Sequence, residues 1–295
     1  MAWTEEELRA VLRRWEVALL ADGKTSATVA TYVRDARAFI DYAAGAPRRT
    51  GHGETARVRR ARPASMPGSS SPIAVPDDLR RLYQGWLAAG RPGQMAFPWP
   101  RSRWVAEFPE HGSALRSLAP RLGRVDVREV ARHAGVDGGS AVVAFLVVMA
   151  WGFGNVGYGP HRTRRILELT PDAPARLHKV AVTMASGTPT QAYSRLAGDC
   201  RLRGLGPSFG TKYLAFCQPP STEPVALILD NLVLEWLAAH GRADLMSATW
   251  SPVRYKSYLE QARVWADDLG CDPETVEWLI FQSASNDRGN QWADG

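Results

Sequence analysis

Cysteine is scarce in this chain: Cys200, Cys217 and Cys271 are the only three in 295 residues, and no CxxC pair occurs. That excludes a disulfide framework and a zinc ribbon, both of which need cysteines in closely spaced pairs. Long apolar runs are missing too. The longest, Ala141 to Trp151, falls well short of the roughly 20 residues that cross a bilayer. The opening MAWTEEEL is acidic where a secretory leader is basic. These absences predict a cytoplasmic protein with reduced thiols, no membrane segment and no metal. No stretch of convincing length alternates apolar and polar residues as a strand does, and no internal repeat is visible, so the expected architecture is all-α.

Charge is unevenly spread over a net +6. Residues 46–75 hold Arg48, Arg49, Arg57, Arg59, Arg60 and Arg62 against Glu54 alone. Residues 160–217 carry nine Lys or Arg against Glu168, Asp172 and Asp199, whereas the stretch from Leu259 onward is acidic. Concentrated positive charge of this kind suits a polyanionic partner.

Helical spacing organises most of the chain. Thr4 and Glu7 form a capping box ahead of Leu8, Val11, Leu12, Trp15 and Leu19. After Asp22-Gly23, Thr25 can cap a second helix with the face Val29, Tyr32, Val33, Ala36, Phe39 and Ile40. Residues 1–45 therefore read as a helical hairpin, and the segment from Leu12 to Gly45 resembles the start of the core-binding domain of tyrosine recombinases. A plain packing hairpin is the other reading, since no recombinase set of Arg, His and Tyr follows. Residues 46–75 are rich in Arg, Pro, Ser and Gly and too poor in apolar side chains to fold alone, so they read as a basic linker. The rest, 76–295, reads as one helical domain. In it Ser140 is expected to cap the helix AVVAFLVVMAW, which is apolar all round and therefore central and buried.

The segment that carries chemistry lies between Thr188 and Ala239. One helix leads into the turn Gly204-Leu205-Gly206, and a second helix starts at Pro207, a residue suited to the first helical position. Glycines there let backbone amides approach a phosphate at a helix N-terminus. Gly210 is read as the small residue that lets the two helices pack closely. A Pro-rich loop follows, then the apolar run Val225–Leu229 and Asp230 at the mouth of a further helix. Asp230 has two open roles, a helix cap and a catalytic carboxylate.

With GLGPSFG as the hairpin and ILDNLV as the Asp segment, the region from Ser140 to about Gln282 resembles the helix-hairpin-helix DNA glycosylases, nearest to a divergent bacterial branch of the 8-oxoguanine glycosylase fold. The resemblance implies an all-α helix-hairpin-helix fold, an N-glycosylase activity on a modified base in double-stranded DNA, no cofactor and a monomer. Bifunctional members place a nucleophilic Lys where this chain has Ser208, which implies a monofunctional hydrolase. Lys212, one turn further along and 18 residues before Asp230, is the alternative nucleophile. Cysteines for an iron-sulfur cluster are missing after the Asp.

The same resemblance implies phosphate contacts at Gly204, Gly206, Ser208 and Arg162, and a base pocket or wedge drawn from Trp151, Phe153, Asn155, Tyr158 and His161. The C-terminal residues Trp250, Tyr255, Lys256 and Tyr258 stand where the family closes its pocket. Glycines 152, 154, 157 and 159 suggest room for an enlarged base, and members of the branch resemble glycosylases used against phages with glucosylated cytosine. Oxidised-guanine repair is the ordinary alternative. A non-catalytic DNA-binding module and a recombinase-like accessory protein are the other classes considered.

Overall fold

The computed structural model describes residues 71–220, 223–247 and 249–287, together with seven residues between Glu6 and Val33. The chain divides into two compact units, Met1–Ala64 and Ser65–Gly295. In the first unit each of the seven described residues is helical, with Leu12 and Val33 buried and Val11 of the expected apolar face exposed. The rest of the expected hairpin, and the linker as far as residue 70, lie outside the described residues.

Among its described residues the second unit is mostly helical. In chain order it runs α1 (Asp77–Ala88), β1 (Phe97–Pro98), α2 (Arg101–Glu107), α3 (Gly112–Ser117), β2 (Arg121–Leu122), α4 (Arg124–Ala131), α5 (Gly138–Phe153), α6 (Gly159–Glu168), α7 (Ala173–Ser186), α8 (Pro189–Ala197), α9 (Pro207–Cys217), α10 (Asn231–Leu237), α11 (Pro252–Leu269) and α12 (Pro273–Asp287). The two short strands pair antiparallel, Phe97 with Leu122 and Pro98 with Arg121. An all-α architecture is what this is, with one two-stranded ribbon as the exception among the described residues.

The end of the expected linker belongs to this unit. Ile73 donates its amide to Gln261 Oε1 at 2.9 Å, and its carbonyl accepts from Gln261 Nε2 and Trp265 Nε1, each at 2.9 Å. Val75 is buried beside it. A backbone whose polar groups find partners on buried side chains is held in place, despite the Pro and Ser content around it.

Helix α5 is the centre, because an element apolar on every side finds partners on every side. Its residues from Ala141 to Ala150 are buried with the exception of one partly exposed position, Val143, and α4, α7 and α9 pack around it. Asp137 caps it, accepting from the Ser140 amide at 2.7 Å. The cap thus lies three residues ahead of the expected Ser140, and the helix takes in Gly138 and Gly139. A Cβ on Gly138 would stand 3.2 Å from Pro174 Cβ, so the glycine admits the start of α7.

Helices α8 and α9 are joined by the loop 198–206. Thr188 and Gln191 form a capping box at the head of α8. Gly204 takes φ +86, a left-handed conformation that favours glycine, and Gly206 is the N-cap of α9 with Pro207 following. Gly210 does not serve the α8–α9 contact. A Cβ there would lie 2.2 Å from Trp250 Cη2, so its missing side chain makes room for the indole that also packs on Tyr193, with ring centroids 5.0 Å apart.

Between α9 and α10 the apolar run Val225–Leu229 crosses the core as extended chain with no sheet neighbour among the described residues. Side chains satisfy its backbone instead. Gln218 Oε1 accepts from the Ala226 amide at 2.6 Å, and Thr211 Oγ1 accepts from the Leu229 amide at 3.0 Å. Tyr255 and Tyr258 of α11 donate their hydroxyls to the Leu227 and Ile228 carbonyls, each at 3.0 Å.

Gly210→Ala is expected to lower unfolding stability by about 1–3 kcal/mol, as overpacking against a held side chain does. Urea denaturation measures it, and an unchanged midpoint would mean that Trp250 yields freely.

Candidate active site

Asp230 sits where that extended run meets α10. It is the helix N-cap, with Oδ1 accepting from the Val233 amide at 3.2 Å. Its other oxygen, Oδ2, accepts from Lys212 Nζ at 3.0 Å. The cap and the ion pair use different oxygens, so Asp230 serves both at once. The two residues are 8% and 7% exposed, and a pair so deeply buried gains nothing for stability over a well-packed apolar pair.

The side chain of Lys212 reaches this place along a channel that glycine keeps open. A Cβ on Gly152, at the end of α5, would lie 3.1 Å from Lys212 Cδ and 2.6 Å from the Phe209 ring. The glycine-rich turn therefore does not leave empty room as the sequence suggested. Beyond Gly152, Gly159 is filled by Phe153 and Gly157 by the end of Arg103.

Lys212 and Asp230 both line a cavity of about 390 Å³. Its wall is assembled from separate parts of the chain: the loop before β1 with Gln94 and Met95, Arg124 of α4, Trp151 and Gly152 of α5, and a stripe of α12 comprising Glu277, Trp278, Phe281, Gln282 and Ser285. Trp151 packs against Phe97 and, edge-on at 4.9 Å, against Phe216. The Arg124 guanidinium lies 5.6 Å over its ring.

A second buried ion pair borders the cavity. Arg124 Nη2 donates to Glu277 Oε1 at 2.9 Å and Nη1 to Oε2 at 3.3 Å. Burial pushes the Glu277 carboxyl up from its ordinary range; Arg124 opposes the shift, and Asp230 adds to it by repulsion. Nothing comparable in the sequence marked this pair, because its members are 153 residues apart. The one available signal is a carboxylate inside the apolar string Val276-Glu277-Trp278-Leu279-Ile280.

The remaining sequence-predicted residues are spread differently. Trp151 is in the wall, as expected of a pocket residue. Phe153 is buried core, packed on Phe209 at 4.5 Å and Tyr158 at 5.5 Å, and does not line the cavity. Helix α5 runs to Phe153 and turns its ring inward, where the sequence had the turn beginning at Trp151. Asn155, Tyr158, His161 and Arg162 are exposed on the turn and the first coils of α6, away from the cavity lining. Ser208 is half-buried in the first turn of α9 and also does not line it. Tyr255 and Tyr258 support the chain under Asp230, and the helix that closes the cavity is α12, one element later.

Outside the cavity, the basic zone is partly neutralised. Arg164 pairs with Glu110, Arg176 with Asp172, and Lys179 and Arg195 with Asp199. Arg162, Arg201 and Arg203 are exposed with no ion pair among the described residues. Two of these three flank the turn at Gly204–Gly206, where α9 begins without a side-chain cap.

A helical body built round one apolar helix thus carries a buried Lys–Asp pair in the wall of a cavity. The family model described as "Putative 8-oxoguanine DNA glycosylase OGG-like protein" matches residues 90–281, about two thirds of the chain and every element that lines the cavity up to Phe281. The chain belongs to that family. Neither the curated proteins nor the solved structures yield a match to it.

Arg124→Met leaves Glu277 buried without its cation, which costs about 3–5 kcal/mol. The loss is expected at neutral pH and to shrink as pH falls, because the Glu277 carboxyl, already raised by burial, then takes up a proton and needs no partner. Urea denaturation of both proteins at neutral and at mildly acidic pH tests this; a penalty independent of pH would contradict it.

Proposed function

We propose that the protein is a DNA glycosylase that flips a modified nucleotide out of the duplex and releases its base at Lys212 and Asp230. The observation that carries the reading is the Lys212 Nζ–Asp230 Oδ2 contact of 3.0 Å in the wall of the cavity. A target atom inside a duplex is out of reach, so the base must leave the stack and enter such a pocket. Exposed Arg201 and Arg203, with the uncapped start of α9, supply contacts for the phosphate backbone that hold the duplex in place.

In this reading Lys212 is the nucleophile and the enzyme is bifunctional. What supports it over the monofunctional alternative, in which Ser208 stands where bifunctional members have their Lys, is that Lys212 lines the cavity. Asp230 stands at hydrogen-bond distance to take a proton from Lys212 Nζ. The freed nitrogen lone pair then forms a bond to the sugar C1′, and the C1′–N bond to the base breaks with its electrons leaving on the base. Asp230, now carrying that proton, can pass it on to the departing base or to the ring oxygen O4′ as the ring opens. Opening of the sugar ring gives an imine between Lys212 and C1′, from which loss of the C2′ proton expels the 3′ phosphate and cuts the strand.

We assign the substrate as a bulky modified pyrimidine, glucosylated hydroxymethylcytosine of phage DNA, and the biological role as antiviral defence. A cavity of about 390 Å³ is larger than one pyrimidine ring requires. The second reading, 8-oxoguanine repair, is favoured by the description that the matching family carries.

The test is base release from three duplexes: glucosylated hydroxymethylcytosine, 8-oxoguanine and unmodified DNA. Release from the first, with little from the others, is the expected result. Asp230→Asn is expected to lower release by roughly 10²- to 10⁴-fold with DNA binding retained. Release of 8-oxoguanine alone would make the second reading the correct one, and an Asp230→Asn variant as active as the parent would remove the glycosylase assignment.

A further inference from the structure

Gln94 stands in the cavity wall, and a charged neighbour decides which way its amide lies. Arg124 Nε donates to Gln94 Oε1 at 2.9 Å. A guanidinium only donates, so the oxygen end of the amide must face Arg124 and Nε2 must face away from it. Gln94 Nε2 meets no acceptor among the described residues, and unlike the indole nitrogens of Trp151 and Trp278 it is not closed off, on a residue that is half-buried. A donor with two hydrogens is therefore left open in the wall.

Both supports of this amide are rigid. Arg124 is held by its two bonds to Glu277 and lies 5.6 Å over the Trp151 ring. The loop that carries Gln94 is pinned on either side: Trp86 Nε1 donates to the Pro92 carbonyl and Arg121 Nε to the Ala96 carbonyl, each at 2.9 Å. It starts with Gly90 and Arg91 at φ +79 and +59. For Arg91, which has a Cβ, that left-handed conformation is one the surroundings must impose. A donor already held in place is not ordered at a cost when a ligand arrives. The buried Arg124–Glu277 pair, which stability does not favour over apolar residues, has a use here, since it aims the amide.

We propose that Gln94 is a specificity-determining residue that donates from Nε2 to an acceptor on the edge of the flipped base, a keto oxygen or an unprotonated ring nitrogen, with Arg124 setting its direction. The proposal rests on the reading that the cavity receives a flipped base, and it is indifferent to what that base carries elsewhere. A base that presents an amino group at the same point sets donor against donor and is refused.

Calorimetric titration of the full chain with two free bases, 5-hydroxymethylcytosine and 8-oxoguanine, each of which bears a keto oxygen, tests this without chemistry. Gln94→Ala is expected to weaken the tighter of the two about fivefold, the order of one neutral hydrogen bond. Gln94→Glu is expected to weaken it at least tenfold, because one carboxylate oxygen keeps the bond from Arg124 while the other sets an acceptor against an acceptor. Urea denaturation is expected to give the opposite order. Gln94→Glu, which still pairs with Arg124, unfolds no more easily than the parent, whereas Gln94→Ala, which leaves Arg124 Nε without its acceptor, unfolds more easily. A residue that only held the wall together would rank the variants alike in both measurements. That result, variants that bind as the parent does, or a parent that binds neither base would each overturn the assignment. Base release from DNA is followed in parallel and separates the two readings. A parent that binds a free base through Gln94 and releases nothing from DNA leaves the assignment standing and defeats the glycosylase reading.

Discussion

The buried contact between Lys212 and Asp230 is the constraint on which the rest of the unit depends. Taking a carboxylate and an ammonium out of water costs several kcal/mol per ion, and their attraction repays this only where geometry is good and the remaining lone pairs find donors. Asp230 meets that demand through the Val233 amide on its second oxygen. Lys212 meets it by lying in a channel that only a glycine at 152 leaves open. The run that delivers Asp230 has no strand beside it among the described residues, and Thr211, Gln218, Tyr255 and Tyr258 take the place of a sheet. Each of these features adds little by itself. Together they fix one carboxylate against one amine, in a cavity wall, at a cost that stability alone would not favour.

The cavity gives that pair its setting. A second buried pair, Arg124 with Glu277, stands along the same wall, and the repulsion between Glu277 and Asp230 ties the two electrostatically. Low polarizability around both strengthens every charge interaction inside. Beside the charges lie indoles and a phenyl ring, surfaces on which a base can stack. On the proposed reading the wall separates two tasks: Lys212 in the middle of α9 and Asp230 at the start of α10 break the bond, and α12 meets the base.

Much of this was legible in the sequence, and the limits have physical causes. Helix α5 was readable because eleven apolar residues in succession can only be interior. The turn before α9 was readable because Gly204 takes a left-handed conformation that favours glycine and Pro207 suits the first helical position. Lys212 and Asp230 were paired through the family resemblance, because the 18 residues between them suit the spacing that it implies. What was missed depends on tertiary contact. Glu277 and Arg124 meet across 153 residues, and nothing local to either records the other. Phe153 and Gly210 were misread for the same reason: which side of a helix end a ring turns to, and whose side chain fills the space over a glycine, are decided by elements distant in sequence. The resemblance that placed the pocket-closing residues near Tyr255 was one helix early, because only packing decides which of α11 and α12 faces the cavity.

The most direct test of the account is to incubate the protein with its glucosylated duplex in the presence of borohydride and to map the resulting adduct by peptide mass spectrometry. A reduced cross-link on Lys212, absent from a Lys212→Gln variant that still folds and binds DNA, is the predicted result. Efficient base release with no cross-link, or a cross-link on any other residue, would contradict the claim that the Lys212–Asp230 pair is the centre of the chemistry.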